Sequence, residues 1–335
     1  MRRIRVMHFG LGPIGAAVVR QIAARKGFRM VGGIDIDPRK AGRDLGEVAG
    51  LGARLRAPVW ADAATALEAA RPDVVVLCTH SSLRRAAPQI AAALAARVPV
   101  VATTEELAYA VPQNRTLARR IDTLARRAGV AVLGTGVNPG FVMDALPIVL
   151  TAPCEKVHAL RVDRVQDARV RRLPFQQKIG AGLSRAEFRR RVRDGSVRHV
   201  GLAESIHMIG DALGWKIDRV VDRVRPRVAR RRVASRYLSV APGRVCGIVQ
   251  DGFGYEAGQV RIRLHLEAYL GATETYDMVR IDGSPPLQVK VIGGTHGDIA
   301  TAALVVNAIP RVLAAAPGYR TMRDLPLPSF FRAGG

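Results

Sequence analysis

The stretch "RIRVMHFGLGPIGAAVVRQIAARKG" (3–27) decides the fold. Residues 3–10 read as a buried strand. "GLGPIG" then sets Gly10, Gly12 and Gly15 in G-x-G-x-x-G spacing, and "AAVVRQIAARKG" predicts a helix ended by Gly27. Strand, glycine turn and helix in that order are the context a dinucleotide fingerprint requires. Gly10 permits the tight turn, Gly12 lets the backbone approach a pyrophosphate, and Gly15 lets the helix lie close on the strand. Gly10, Gly12, Pro13, Ile14 and Gly15 are therefore candidate cofactor contacts, with the pyrophosphate at the helix N-terminus.

The next strand, "FRMVGGIDID" (28–37), ends in Asp35 and Asp37. An acid about twenty residues past the glycines accepts hydrogen bonds from the adenosine ribose. Asp35 is the better placed and favours NAD. Arg39 and Lys40 follow within a turn and suit a 2′-phosphate, so the cofactor is NADP or NAD, with both open.

Strands and helices go on alternating through "DVVVLCT" (73–79), "LRRAAPQIAAALAARV" (83–98), "PVVATT" (99–104), "NRTLARRIDTLARRAG" (114–129) and "VAVLGTGVN" (130–138). Continuous apolar strands separated by helices predict an α/β Rossmann fold with a doubly wound parallel sheet. Pro88 falls near the start of its helix, and Asn114 is a candidate cap. Ligands bind beyond the C-terminal strand ends in such sheets. That rule gathers the glycine turn, Thr79, His80 and Ser81, then Thr103, Glu105 and Glu106, then Asn138 in "VNPG", around one crevice. Glu105 and Glu106 are the candidate catalytic residues. Neighbours diverge too far to share one spot, so one acid faces the crevice while the other caps or pairs. Glu105 follows the strand end directly and is favoured.

The character changes after Gly140. "EKVHALRVDRV" (155–165), "YLSVAPGRVCGIVQDG" (237–252), "GQVRIRLHLEAYLG" (258–271) and "TYDMVRIDG" (275–283) alternate apolar and polar residues. They predict a second α+β domain on a largely antiparallel sheet. "SRAE" (184–187) is a capping box opening one helix, and a second helix spans about 199–214. "GGTHGDIATAALVVNAIPRVLAAAPG" (293–318) is a glycine turn leading into a nearly all-apolar helix. Such a helix must be buried, on the nucleotide domain or across a dimer interface, and Pro310 should end or kink it. The expected division is 1–140 for the dinucleotide domain and 141–292 for an α+β substrate and dimerisation domain. Residues 293–335 form a helix and tail that return to the first.

Composition narrows the function classes. The chain of 335 residues is 48% hydrophobic, enough for two cores. No apolar run reaches membrane-spanning length. Cys78, Cys154 and Cys246 are odd in number and far apart, which suggests free thiols and a reducing cytoplasm. The net charge of +24 rests on 52 basic residues. Clusters such as "EFRRRVRD" (187–194) lack interleaved aromatics, and no zinc-finger or helix-turn-helix signature is present. A solvated arginine-rich surface is the reading, with no specific nucleic-acid partner. No His/Cys/Asp cluster has metal spacing, so no metal is expected.

"GLGPIG", "TTEEL" (103–107), "GTGVNPGFVMDALP" (134–147), "QKIGAG" (177–182), "HVGLAES" (199–205) and "GGTHGDIATAALVVNAIP" (293–310) follow one another along nearly the whole chain. In combination they resemble the 2,4-diaminopentanoate dehydrogenases and the related native amine dehydrogenases, whose nucleotide domain is like that of dihydrodipicolinate reductase. The resemblance implies a homodimer using NAD(P). It implies reversible oxidative deamination of an amine to a ketone plus ammonia, with a glutamate of "TTEEL" as the catalytic residue. No two histidines are adjacent, unlike the paired-histidine motif of true dihydrodipicolinate reductases, which argues against reduction of the cyclic lysine precursor. Gln177, Lys178, His199 and His265 are the candidate substrate contacts. A diamino-acid substrate would need a cationic anchor, for which Arg161, Arg169, Arg171, Arg172 and Lys178 are available. A non-catalytic dinucleotide sensor on the same fold is the alternative of another class.

Overall fold

The computed structural model describes residues 2–331. The chain divides into two units, Met1–Phe141 with Asp298–Gly335, and Val142–Gly297.

The first unit opens with β1 (Ile4–Phe9), α1 (Pro13–Ala23), β2 (Phe28–Ile34), α2 (Leu45–Val48), β3 (Val59–Trp60) and α3 (Ala63–Ala70). It continues with β4 (Val74–Leu77), α4 (Leu83–Ala95), β5 (Val100–Ala102), α5 (Arg115–Ala128) and β6 (Ala131–Gly134). β4, β5 and β6 are buried at every residue, because a parallel sheet is covered on both faces. Met7, Val75, Leu77, Val100 and Ala102 pack there against Leu67, Ala86, Ile90, Ile121 and Ala125.

Three local expectations shift. α1 stops at Ala23, not Gly27, because Gly27 is drawn beside β1, where its carbonyl accepts from Ile4 N at 2.9 Å. Asn114 does occupy the N-cap of α5, but its side chain makes no cap bond there. Pro88 lies inside α4, which runs on to Ala95.

The second unit contains α6 (Ala145–Leu150), β7 (Lys156–Asp167), α7 (Leu173–Lys178), α8 (Arg185–Arg193) and α9 (Leu202–Ala212). After them come β8 (Arg219–Val228), β9 (Val233–Ala234), β10 (Ser239–Val240), β11 (Val245–Glu256), β12 (Gln259–Tyr269), β13 (Tyr276–Ser284) and β14 (Leu287–Ile292). Six of them form a sheet in the order β14-β13-β7-β12-β11-β8. Every neighbouring pair is antiparallel except β7 and β12, which run parallel. Ser184 Oγ accepts from Glu187 N at 3.1 Å, so the N-cap half of the expected capping box forms, while the Glu187 carboxylate turns instead to Arg191 at 3.1 Å. α9 lies on one sheet face, where Gly252 and Gly254 leave room for Leu202 and Ile206. A Cβ on Gly254 would sit 2.6 Å from Ile206 Cγ2.

Residues 237–252 are not one strand: the chain breaks between β10 and β11, and only the second piece joins the large sheet. β8 and β14 have no counterpart in the sequence reading. Both are edges, so β8 tolerates Pro226 and a solvated row of arginines that no central strand would accept. Those arginines lie over aromatic rings of the next strands, Arg219 on Tyr255 at 3.8 Å and Arg227 on Tyr269 at 4.7 Å. Part of the positive charge is therefore stacked on the sheet.

From the second unit the chain enters α10 (Gly297–Leu313) and ends its regular structure in β15 (Gly318–Arg320). Pro310 does not end α10, which continues to Leu313. α10 is tied to α1 by Arg25 Nη1 donating to Asn307 Oδ1 at 2.7 Å. β15 completes a seven-stranded parallel sheet, β15-β6-β5-β4-β1-β2-β3. No helix among the described residues is long and apolar enough to cross a membrane.

In the second unit, Arg164 and Asp277 face each other at 3.2 Å, 1% and 2% exposed, off a hydrogen-bond axis. Arg164 Nη2 also donates to Thr295 O at 2.7 Å, and Asp277 Oδ2 accepts from Thr295 N at 2.7 Å. The pair thus holds the glycine turn that leads into α10. Removing one partner strands a buried charge. Arg164→Met is expected to cost about 3–5 kcal/mol, and Arg164→Met with Asp277→Leu to recover most of it. Urea unfolding of both variants checks this.

Candidate active site

β1 and β4 are neighbours in the first unit, and the strand order reverses between them. The backbone there is crowded for a reason. Gly10 has φ +94°, and a Cβ on it would meet Cys78 O at 2.6 Å. A Cβ on Gly15 would lie 1.9 Å from Gly10 O. A Cβ on Gly12 would meet nothing within 4 Å. Gly12 is also the N-cap of α1 and lends it no side-chain bond. Open space beside unsatisfied amides at a helix N-terminus fits a pyrophosphate, so the residues suit a dinucleotide.

Asp35 directly follows β2 and shapes the loop beyond it. Its Oδ2 accepts from Leu11 N at 2.8 Å and from Lys40 Nζ at 2.9 Å, and its Oδ1 accepts from Asp37 N at 3.0 Å. Burial alone would raise its pKa, but these bonds outweigh burial and hold it below the usual carboxylate value. About four acceptor positions exist on a carboxylate; three serve the loop. Arg39 grips Asp37 through two bonds at 3.0 and 2.9 Å. Both cations are thus balanced by acids, and no excess charge selects a 2′-phosphate.

His8, on β1 directly beneath the turn, is 0% exposed. Its Nε2 lies 3.1 Å from Gly10 O. A carbonyl only accepts, so Nε2 carries the proton. Burial pushes the pKa down to about 4 and keeps the ring neutral. The sequence reading passed over His8, since one polar residue within an apolar strand carries no spacing signal.

Beyond β4, Thr79 Oγ1 donates to Gln89 Oε1 at 2.5 Å, while His80 is exposed. Thr103 N donates to Leu77 O at 2.9 Å, joining β5 to β4 at the crevice. The acids follow in a single 3-10 turn, Glu105–Leu107. Glu106 Oε2 accepts from Leu83 N at 2.8 Å, the first amide of α4, and Glu106 N donates to Ser81 O at 3.2 Å. Glu106 is therefore the cap of α4, and Glu105 opens the turn beside it. Asn138 is buried and precedes a cis bond to Pro139.

The candidate substrate contacts of the second unit do not share one role. Gln177 is exposed on α7 and Lys178 is half-buried. Gln176 is the buried amide of that helix, donating to Ala168 O and Arg171 O at 2.9 Å each. His199 lies outside α9, its backbone N bonded to Gln250 Oε1 at 2.8 Å. His265 is on the sheet face opposite α9, between Glu267 at 3.2 Å and Asp251 at 2.7 Å. The bond to Glu267 leads in raising its pKa, against burial and with help from Asp251. Its ring is thus engaged in an ion-pair network. Among the anchors, Arg161 pairs with Asp163 and Arg169 with Asp167. Arg171 is buried, stacks on Phe175 at 3.9 Å, and donates to Gln166 Oε1 at 2.7 Å. It lines a cavity of about 340 Å³ with Thr275, Thr295 and His296. Among the described residues no group of three His, Cys, Asp or Glu gathers to hold a metal.

The profile described as "2,4-diaminopentanoate dehydrogenase C-terminal domain" matches residues 141–333. A 2,4-diaminopentanoate dehydrogenase of Acetoanaerobium sticklandii is 34% identical over 98% of this chain and 95% of its own. The chain belongs to the 2,4-diaminopentanoate dehydrogenase family. It is accordingly an NAD(P)-dependent oxidoreductase of the class that acts on amines. Residues 4–125 match the profile "Dihydrodipicolinate reductase, N-terminus". An amine dehydrogenase of Streptomyces virginiae is 24% identical over 99% of both chains. The solved structure of an amine dehydrogenase from Mycobacterium smegmatis superposes with a TM-score of 0.88 at 25% identity, over 98% of each chain.

The neutral His8 has a measurable consequence. Its folded pKa of about 4 lies below the unfolded value near 6.5. The unfolded chain therefore binds the proton first, and stability present above pH 6.5 is lost as pH falls toward 4. Between pH 7 and 4.5 wild type should lose about 2–3 kcal/mol more than His8→Gln. Urea midpoints at the two pH values test this.

Proposed function

We propose that this protein catalyses the reversible oxidative deamination of an amine to a ketone plus ammonia, with Glu105 as its catalytic carboxylate. The observation that favours Glu105 over its neighbour is the bond from Leu83 N to Glu106, which commits Glu106 to capping α4. Bound NAD(P)⁺ would accept the hydride from the amine-bearing carbon. Gly10, Gly12, Pro13, Ile14 and Gly15 would seat its pyrophosphate, Asp35 its ribose, and Thr79, His80, Ser81, Thr103 and Asn138 would line the nicotinamide end. Loss of hydride leaves an iminium carbon. A carboxylate beside it stabilises the positive charge and takes the proton of the attacking water. The carbinolamine so formed expels ammonia to give the ketone; in reverse, ammonia adds to the ketone and Glu105 returns that proton to the hydroxyl that leaves as water.

A diamino-acid substrate is the second reading. The 34% relative is named for 2,4-diaminopentanoate, and the buried guanidinium of Arg171 lines a cavity. Such a site suits a carboxylate through paired N–H donors. Gln177, Lys178 and His199 are the further substrate contacts we propose, with His265 the weakest because of its ion pairs. We assign cofactor binding to the first unit and substrate recognition to the second, and infer a cytoplasmic homodimer.

Purified protein with NADH or NADPH, ammonium and ketones with and without a carboxylate should oxidise the cofactor. Binding of cofactor with no turnover of any ketone would instead favour a non-catalytic sensor. Glu105→Gln should lower kcat by about 10²–10⁴. Glu106→Gln, whose amide oxygen still accepts from Leu83 N, should keep kcat within about tenfold, while Glu106→Ala should cost about 0.5–2 kcal/mol of stability, as lost caps do. Equal rates in wild type and Glu105→Gln would refute the assignment.

A further inference from the structure

The turn that carries Glu105 is three residues long and closes on two backbone bonds of its own, Leu107 N to Thr104 O at 3.0 Å and Ala108 N to Glu105 O at 3.1 Å. So short a helix does not hold its own direction. Its anchors come from elsewhere. Leu107 is 0% exposed. Its peptide presses on β6, where a Cβ on Gly134 would stand 2.5 Å from Leu107 C and 2.7 Å from Ala108 N. Glu106 ties one side to α4. On the remaining side Tyr319 Oη donates to Leu107 O at 2.9 Å. A carbonyl at a helix C-terminus has no partner inside its helix, and this hydroxyl supplies one.

Tyr319 is itself held at both ends. β15 pairs with β6, placing Tyr319 opposite Val132, and Gly318 N donates to Val130 O at 3.0 Å. Tyr319 N donates to Asp122 Oδ1 on α5 at 2.8 Å. A residue more than two hundred positions away is thus braced by the sheet and α5, and clamps the peptide two residues after Glu105.

We propose that Tyr319 is a positioning residue for Glu105, with β15 as the fourth wall of the catalytic turn. This rests on the reading of Glu105 given above. Its role is to fix the carboxylate relative to the substrate carbon, and a small displacement of such a group is costly in rate.

Amine oxidation is measured for wild type, Tyr319→Phe, Glu105→Gln and the double variant, with thermal midpoints and cofactor affinity in parallel. Tyr319→Phe keeps the ring and removes only the bond. Its kcat should fall about 5–30-fold, the range expected from losing one buried hydrogen bond, while KM and cofactor Kd stay within twofold. In the Glu105→Gln background the same change should do little, because the effect passes through that carboxylate. Gly134→Ala, pressing on the same peptide from β6, should mimic it. A purely structural tyrosine would lower the thermal midpoint without this kcat-specific, Glu105-dependent loss. If Glu105→Gln loses rate but Tyr319→Phe retains wild-type kcat, the inference alone falls. If Tyr319→Phe is equally damaging with Glu105 absent, it also falls. If Glu105→Gln is as fast as wild type, the reading of Glu105 falls and takes the inference with it.

Discussion

The first amides of α4 have no partner within their own helix, and the carboxylate of Glu106 supplies one to Leu83. Much of this edge of the sheet depends on that bond. It fixes the sense in which the 3-10 turn leaves β5, and two adjacent acids of equal chemistry acquire different tasks. Leu107 is then driven into the core, and Gly134 gives its peptide room to come that close.

The same economy governs the glycine turn. Asp35 organises the loop: three acceptor positions hold Leu11, Asp37 and Lys40, so the turn is shaped by the protein's own bonds. Beneath it, His8 provides a neutral donor to Gly10 O. An aliphatic side chain there would leave that carbonyl without this partner. Beside the turn, Arg39 and Lys40 are paired with Asp37 and Asp35.

Much was legible in the residues. The alternation of apolar strands and helices, the glycine spacing and the acid at the end of β2 lead to the parallel sheet and its crevice, because these are local patterns with local causes. The N-cap at Ser184 is equally local, and its bond to Glu187 N forms. Other features were hidden for identifiable reasons. β8 carries Pro226 and alternating arginines, tolerable only on an edge, and edges are properties of the assembled sheet. Gly27 and Pro310 read as helix ends, yet neither is one: a strand pairing claims Gly27, and α10 runs a further turn beyond Pro310.

The sequence by itself determined the fold class and the family, since periodicity and short motifs act over a few residues. Only the tertiary structure decided which of Glu105 and Glu106 caps a helix, that His8 is neutral, and that Tyr319 reaches Leu107. Each of those depends on a contact between segments distant in the chain. Spacing carries no record of such a contact until the sheet has brought the segments together.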